Sequence, residues 1–405
     1  MDKLRFFTAG ESHGRGLVGV LEGIPAGLSL SSDDIDRELK RRQLGHGRGG
    51  RMKIEQDHAQ ILSGVRWGTT IGSPLSLLIE NRDWENWQEG MSSDEAHKDS
   101  IPAVTRPRPG HADLPGALKY NQKDVRNILE RSSARETAMK VALGAIAKRF
   151  LAEFGVRLSS YVIRIGGIAL PGPFLEEFRK RFSSEDMVDR IDLSPVRCPD
   201  EGTSQDMIGL IDEASRNGDT LGGVFEVIAT GVPVGLGSHI QWDTRLDGRL
   251  AQALMGIQAI KGVEIGDGFE MAQKSGSAVM DEIFFRSRKS EDETQIHQSG
   301  FYRNTNHAGG IEGGITNGMP VIVRAAMKPI PTLKKPLRSV DIVTKEPFEA
   351  AYERSDTCAV PAAAVVAEAM VALVLADAML NKFGGDSMDE TRRNALTYGE
   401  YLKRF

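Results

Sequence analysis

Cysteine is nearly missing from this chain: Cys198 and Cys358 are the only two in 405 residues. Two thiols cannot staple a fold of this size, so a disulfide framework is excluded and a reducing compartment, the cytoplasm, is expected. Histidine is scarce as well. His13, His46, His58 and His111 have no local partners at ligand intervals, so no metal site is expected. Nor is there an excess of positive charge, because the formal net charge is -5; a surface built for nucleic acid is disfavoured, and any cationic cluster must answer to a small or local anion. The longest apolar stretch near the C-terminus is interrupted by Glu368 and Asp377, and MDKLRFFTAGESHG has no apolar leader core. No membrane span is expected. No nucleophile elbow, P-loop or Rossmann fingerprint is expected either.

What the chain does have is glycine, 44 in all, gathered in GESHG (10–14), GHGRGG (45–50), DTLGG (219–223), GVPVGLG (231–237), GVEIGDGF (262–269) and GGIEGGITNG (309–318). Such turns let backbone approach a ligand closely, and they also serve simply to join strands. GHGRGG superficially resembles an RGG segment, but it occurs once, inside folded sequence of an acidic protein. The stretch Arg106-Pro107-Arg108-Pro109-Gly110-His111-Ala112-Asp113 is different in kind. Its two prolines fix φ and remove two donors, so it must be a stiff loop. Its guanidiniums and imidazole suit a loop that grips an anion and moves a proton, although His and Asp pairing on a solvated loop fits the same letters.

Around these loops the periodicity predicts a strand at 15–22, a helix capped by Ser32 and running through Ile35, Leu39 and Arg42, and a strand after GTTIGSP (68–74). Residues 82–100 read as a polar loop anchored by Trp84 and Trp87, and 286–300 as a solvated one. The strongest helix signal lies in 120–154, with Ser133 and Glu136 as a capping box before an alanine-rich run. That helix start carries Arg131, Ser132, Ser133 and Arg135, where free N–H groups and guanidiniums favour an anion. A long apolar helix at 361–383 closes the pattern, 386–405 is a C-terminal tail, and 156–205, a strand (VRLSSYVIRIGGI) followed by a polar stretch, reads as a peripheral excursion.

Three matches recur in the same order along the chain. GIPAGL (23–28) returns as GVPVGL (231–236), GTTIGSP as GITNGMP (314–320), and Glu130-Arg131-Ser132 as Glu353-Arg354-Ser355, each of the last pair before a long helix. The expected fold is therefore α+β, an internally duplicated β-α-β sandwich in which central long helices are flanked by antiparallel sheets, with repeats at about 4–155 and 206–385 of a single domain.

The candidate site residues are His13, Arg48, Arg51, Arg108, His111, Arg131, Arg135, Arg354 and Asp356. Six or more arginines at glycine- and proline-bounded loops point to a multiply anionic ligand, because guanidinium forks match phosphate and carboxylate oxygens in pairs. Two histidines supply acid or base near neutral pH. From residue types and spacing alone, this is an enzyme acting on a phosphorylated or polycarboxylate small molecule.

Seven stretches, TAGESHG, RRQLGHGRGGRMKIEQD (41–57), RPGHAD (108–113), RSSARET (131–137), GVEIGDGF, GGIEGGITNG and ERSD (353–356), together resemble the chorismate synthase family. The likeness runs from residue 4 to about 384. It implies a shikimate-pathway lyase that converts 5-enolpyruvylshikimate 3-phosphate to chorismate and phosphate by a 1,4-elimination needing reduced FMN (FMNH2). The other reading left by the residues is a different FMN-dependent enzyme acting on a phosphorylated polyanion. Carried onto this chain, the resemblance puts substrate on Arg48, Arg51, Arg108, Arg135 and Arg354. It puts flavin on Arg131, Ser132, Ser133, Gln258, Ala259, Gly313, Lys328, Pro329, Ile330, Pro331, Thr332 and Arg354, and NADPH on Arg42 and Arg48. It makes His13 the proton donor to the departing phosphate, sets His111 beside the reduced ring, and has Asp356 keep the flavin able to accept the C6 proton. It further implies a homotetramer that depends on an external flavin reductant and binds neither nucleic acid nor membrane.

Overall fold

The computed structural model describes residues 3–49, 56–182, 185–286, 299–335, 337–350 and 356–405. Alternating apolar positions build the first sheet from β1 (Arg5–Ala9), β2 (Gly16–Glu22), β3 (Gln60–Ser63) and β4 (Leu75–Glu80). These pair antiparallel in the order β1-β2-β4-β3. Leu17, Leu21, Leu75, Leu77 and Ile79 occupy alternate positions and are buried on one face, as a period of two requires. A second antiparallel sheet contains β5 (Arg157–Ile165), β6 (Ile168–Ala169), β7 (Gly223–Thr230), β8 (Ile260–Ile265) and β9 (Val321–Met327), in the order β8-β9-β7-β5-β6. The class is α+β.

Ten helices complete the described chain: α1 (Ser32–Gln43), α2 (Asp113–Tyr120), α3 (Arg126–Ser132), α4 (Thr137–Ala152), α5 (Gly172–Arg181), α6 (Glu185–Leu193), α7 (Glu201–Arg216), α8 (Leu246–Met255), α9 (Val360–Phe383) and α10 (Met388–Arg404). Two of them, α4 and α9, pack against each other, α4 also against β2 and α9 against β5 and β7. Small residues set these distances. A Cβ at Gly19 of β2 would lie 2.5 Å from Met139 Sδ of α4, and one at Gly144 of α4 would lie 2.3 Å from the Ala369 Cβ of α9. The contact admits nothing larger than glycine. Although α9 is long and apolar enough to cross a membrane, 94% of its apolar window is buried in the protein. Glu368, fully buried on α9, receives Arg41 of α1, Lys148 of α4 and the Ser160 hydroxyl of β5, each at 2.6–3.0 Å. One carboxylate thus fixes three elements around the helix.

The two sheets follow one another closely. In the short hairpin Val65–Arg66/Thr69–Thr70, the Thr70 hydroxyl donates to Pro25 O at 2.7 Å and accepts from Leu28 N–H at 2.9 Å. In the short hairpin Ile311–Glu312/Ile315–Thr316, the Thr316 hydroxyl donates to Pro233 O at 2.6 Å and accepts from Leu236 N–H at 2.8 Å. Strands β1, β2, β4 and β3 also have the same order of neighbours as β5, β7, β9 and β8.

Four local expectations change. The cap of α1 is Ser31, whose hydroxyl and backbone exchange bonds with Asp34, because the acidic residue three positions on completes the box from Ser31 and not from Ser32. The 120–154 signal is split: Ser133 is extended, caps a single 3-10 turn by accepting from Arg135 N–H, and Glu136 turns its carboxylate to Thr8 and Gln258 instead of back to Ser133. The 156–205 excursion begins with a core strand, since Arg157–Ile165 lies between β7 and β6 with Ser159, Ser160 and Tyr161 buried. The strand itself was expected, but its polar letters suggested the periphery: Ser160 serves Glu368, and the Tyr161 hydroxyl donates to the buried Glu226. The C-terminal tail is mostly helix α10, capped by Ser387, with Met388 N–H donating to Ala26 O at 2.8 Å.

Candidate active site

Among the described residues a cavity of about 930 Å³ lies between the start of α4, the start of α9, the β1–β2 turn, the Arg106–Asp113 loop and the segments 256–259 and 327–332. Arg42, Arg48, Arg108, Arg126, Arg135 and Lys328 line it, with Asp83 and Asp356 as the carboxylates among the described lining residues. Apolar side chains line it as well: Leu129, Ile257, Met327, Ile330, Pro331 and Val366. Cationic and apolar groups in one cavity suit two ligands, or one ligand with a planar apolar half and an anionic half.

The stiff loop delivers its groups as a unit. Asp113, buried, accepts from Arg108 Nε at 2.9 Å and from Arg108 N–H at 3.0 Å, and its second oxygen takes His111 Nδ1. Burial would raise the Asp113 carboxyl, but His111 and Arg108 hold it well below the usual carboxylate range. It is an anion that orients both neighbours. Arg108 Nη1 reaches Thr332 Oγ1 at 3.2 Å, and Lys328 Nζ donates to Gly110 O, so the loop is tied to the 327–332 segment.

Three of the arginines draw on neighbouring acids and carbonyls. Arg135 donates through Nε to Asn81 Oδ1 at 2.9 Å and through Nη1 to the buried Asp57. Arg42 donates to Thr137 Oγ1 at 3.0 Å and Ala134 O at 3.1 Å, while its buried Nη1, 3.6 Å from Asp57 Oδ2, makes no hydrogen bond among the described residues. Burial, opposed by Asp57 and reinforced by Arg48 and Arg135, pushes the Arg42 guanidinium down to about 10. An anion entering here would relieve that crowding. Arg48 Nη1 pairs with Asp356 Oδ2 at 2.8 Å, and Asp356 Oδ1 accepts Gly49 N–H at 2.6 Å, which pins the glycine loop to the start of α9.

His13 stacks on Trp87 with ring centroids 4.4 Å apart, and Arg126 lies over the same indole at 4.9 Å. Residues 10–14 do spell G-x-S-x-G, the letters of a nucleophile elbow. However, this turn joins two antiparallel strands, and Ser12 is buried with its hydroxyl accepting from Ser133. That is not a strand-to-helix elbow with an exposed nucleophile.

The cavity therefore gathers His13, Arg42, Arg48, Arg108, His111, Ser132, Ser133, Arg135, Gln258, Ala259, Lys328, Ile330, Pro331, Thr332 and Asp356. Arg51 and Arg354 lie outside the described residues. Two others sit elsewhere in the chain. Arg131 points to the edge of β1, donating to Thr8 O at 2.8 Å and Gly10 O at 3.1 Å, and Gly313 occupies the turn between Ile311–Glu312 and Ile315–Thr316. Pro329 is backbone between two lining residues. Sequence reasoning passed over Asp57, Asp83, Arg126 and Glu130. Arg126 had a usable signal, four residues before Glu130 on one helix face. Asp57 and Asp83 come from distant segments, and no local pattern marks them. Among the described residues no group of three or more His, Cys, Asp or Glu is placed to hold a metal ion.

A family model described as chorismate synthase matches residues 4–380. Curated relatives bearing that name include one from Geobacter sulfurreducens, 60% identical over 99% of this chain and 100% of its own length. Another, from Aquifex aeolicus, is 56% identical over 99% of both chains. A solved structure titled as the crystal structure of chorismate synthase aligns with a TM-score of 0.78 and 46% identity, covering 99% of each chain.

Proposed function

The chain belongs to the chorismate synthase family, and from that premise we propose that the cavity holds a reduced flavin mononucleotide on its apolar lining and the phosphorylated substrate on its arginines. The enzyme is a lyase that forms chorismate in the shikimate pathway. The observation that supports the finer reading is that one cavity is lined by both cationic and apolar side chains. The apolar lining suits a planar tricyclic ring: Ile257, Met327, Ile330, Pro331 and Val366 contribute to it, and the buried Gln258 Oε1 has no hydrogen-bond donor among the described residues, leaving an acceptor for a ring N–H. Bound in reduced form, the flavin would lend electron density as the allylic C–O bond breaks and take it back as the C–H bond does.

The chain's own part is charge and protons. Arg42, Arg48, Arg108 and Arg135 hold the phosphate and the carboxylates and stabilise the charge that gathers on the departing oxygen. His13 gives that oxygen its proton. His111, fixed by Asp113, faces the flavin and balances the charge of its reduced ring, and Asp356 holds the carboxylate at the end of the cavity that receives the C6 proton. The elimination closes on phosphate and one proton, with no net oxidation.

Arg131 and Gly313 do not line this cavity, so flavin contacts from them require a second copy of the chain, consistent with a homotetramer. We further infer a duplicated β-α-β sandwich, supported by the matched strand orders and by the paired Thr70 and Thr316 hydrogen bonds. Location in the cytoplasm and dependence on an outside flavin reductant, with NADPH serving that reductant, complete the reading.

Widening Ala362 tests the flavin site. Ala362 lines the cavity in the first turn of α9. In Ala362→Trp the indole fills part of the cavity, and FMN binding followed by the flavin's fluorescence should weaken at least tenfold, about 1.4 kcal/mol. Unchanged FMN affinity in a folded variant would place the flavin elsewhere.

A further inference from the structure

We propose that Glu130 is the positioning residue of His13, fixing which ring nitrogen carries the permanent proton and which exchanges it; this rests on the reading of His13 as proton donor. Glu130 holds the turn at three points. Its backbone oxygen accepts Ser12 N–H at 3.0 Å, its Oε2 accepts His13 N–H at 2.7 Å, and its Oε1 lies 2.8 Å from His13 Nδ1. The side chain is 1% exposed, and none of this was marked by a local motif.

The chemistry follows from what a carboxylate can do. It offers only lone pairs, so Nδ1 must be the protonated nitrogen of the neutral ring. Nε2 is then the nitrogen that gains and loses a proton. It sits on the opposite edge of the ring, 3.8 Å from Asp83 Oδ2, and both His13 and Asp83 line the cavity. When Nε2 is protonated, the imidazolium pairs with a buried anion; when it gives up that proton, the neutral ring is left in the correct tautomer. This is the role a buried carboxylate plays behind a catalytic histidine elsewhere. The charged groups facing the pair are Asp83 beside Nε2 and Arg126, whose Nη1 lies 3.8 Å from Glu130 Oε1. Trp87 covers a face of the ring and limits its rotation.

Glu130→Gln separates positioning from packing because it keeps the volume and removes one acceptor. The amide oxygen can still take His13 N–H, but then its NH2 group faces Nδ1, which must become the acceptor. The proton moves to Nε2 in the neutral ring, and the imidazolium loses its partner. Nitrogen-15 NMR of the His13 ring in the full-length protein should show the neutral tautomer reversed. Turnover of 5-enolpyruvylshikimate 3-phosphate with reduced FMN should fall on the order of a hundredfold in kcat, with KM changed far less. Glu130→Asp, which keeps the charge, should retain the wild-type tautomer and recover part of kcat.

An unchanged His13 tautomer in the folded Glu130→Gln protein would overturn the proposal, and so would a normal kcat there. His13→Ala, assayed alongside, keeps the two ideas apart. Full activity in His13→Ala removes His13 from the reaction whatever Glu130 does. An inactive His13→Ala beside a normal Glu130→Gln overturns the role of Glu130 alone.

Discussion

Alanine at His13 or at His111 should each slow phosphate release by about 10²–10⁴-fold, the range expected when a positioned acid or base is lost, while the protein stays folded. The two rings are built alike. Each is largely buried, with 19% and 17% side-chain exposure, and each has Nδ1 on a carboxylate that is 1% exposed, Glu130 for His13 and Asp113 for His111. A ring so held presents one nitrogen to the cavity in a known tautomer. They lie on different elements, the β1–β2 turn and the proline-stiffened loop, and the proposed function gives them different tasks. His13→Ala should lose the proton for the leaving oxygen and be partly relieved at acid pH, where the substrate phosphate needs less help. His111→Ala should also weaken flavin binding, because the buried Asp113 behind it is left as an anion balanced by Arg108. Rapid-quench measurement of phosphate with each variant reads both. Near-normal rates in the two would refute these roles.

Arg135→Ala should do as much damage by a different route. Its side chain is 3% exposed, and it holds the fully buried Asp57 through one nitrogen and Asn81 through another. Removing it takes away a cation of the cavity and leaves Asp57 with Arg42 at 3.6 Å as a neighbouring charge. Breaking a buried pair by deleting one member costs about 3–5 kcal/mol. The expected result is therefore a lower thermal midpoint together with a rise in KM. Arg135→Lys distinguishes the two effects: the ammonium restores much of the stability by pairing with Asp57, but it cannot span Asp57, Asn81 and an anion at once, so KM stays high. If Arg135→Lys restored KM as well as stability, the guanidinium fork would have no special part in binding.

How much of this could be read from letters depends on how local each signal is. Pro107 and Pro109 dictate a stiff loop by themselves, and the structure shows that loop carrying Arg108 and His111 into the cavity. The pairing of Asp113 with His111 was also legible, because the two lie two residues apart. The long apolar helix announced itself through Val360–Phe383, where no face is polar. Strand Arg157–Ile165 was legible as a strand, but its place in the core was not, because its buried polar side chains answer to Glu368 and Glu226, more than sixty residues away, and no periodicity encodes such partners. Asp57 and Glu130 escaped for the same reason. They are charged residues in ordinary company until folding closes separations of 78 and 117 residues to Arg135 and His13. Arg131 is a different case: a motif position invites a ligand role, and within one chain its guanidinium donates to Thr8 O and Gly10 O at the end of β1.

The most direct test of the central claim is the release of phosphate and chorismate from 5-enolpyruvylshikimate 3-phosphate under anaerobic conditions, with photoreduced FMN and with oxidised FMN. The account predicts equal amounts of both products with the reduced flavin, none with the oxidised form, and no consumption of the flavin over many turnovers. Product formed at the same rate with oxidised flavin, or no phosphate under either condition, would contradict it.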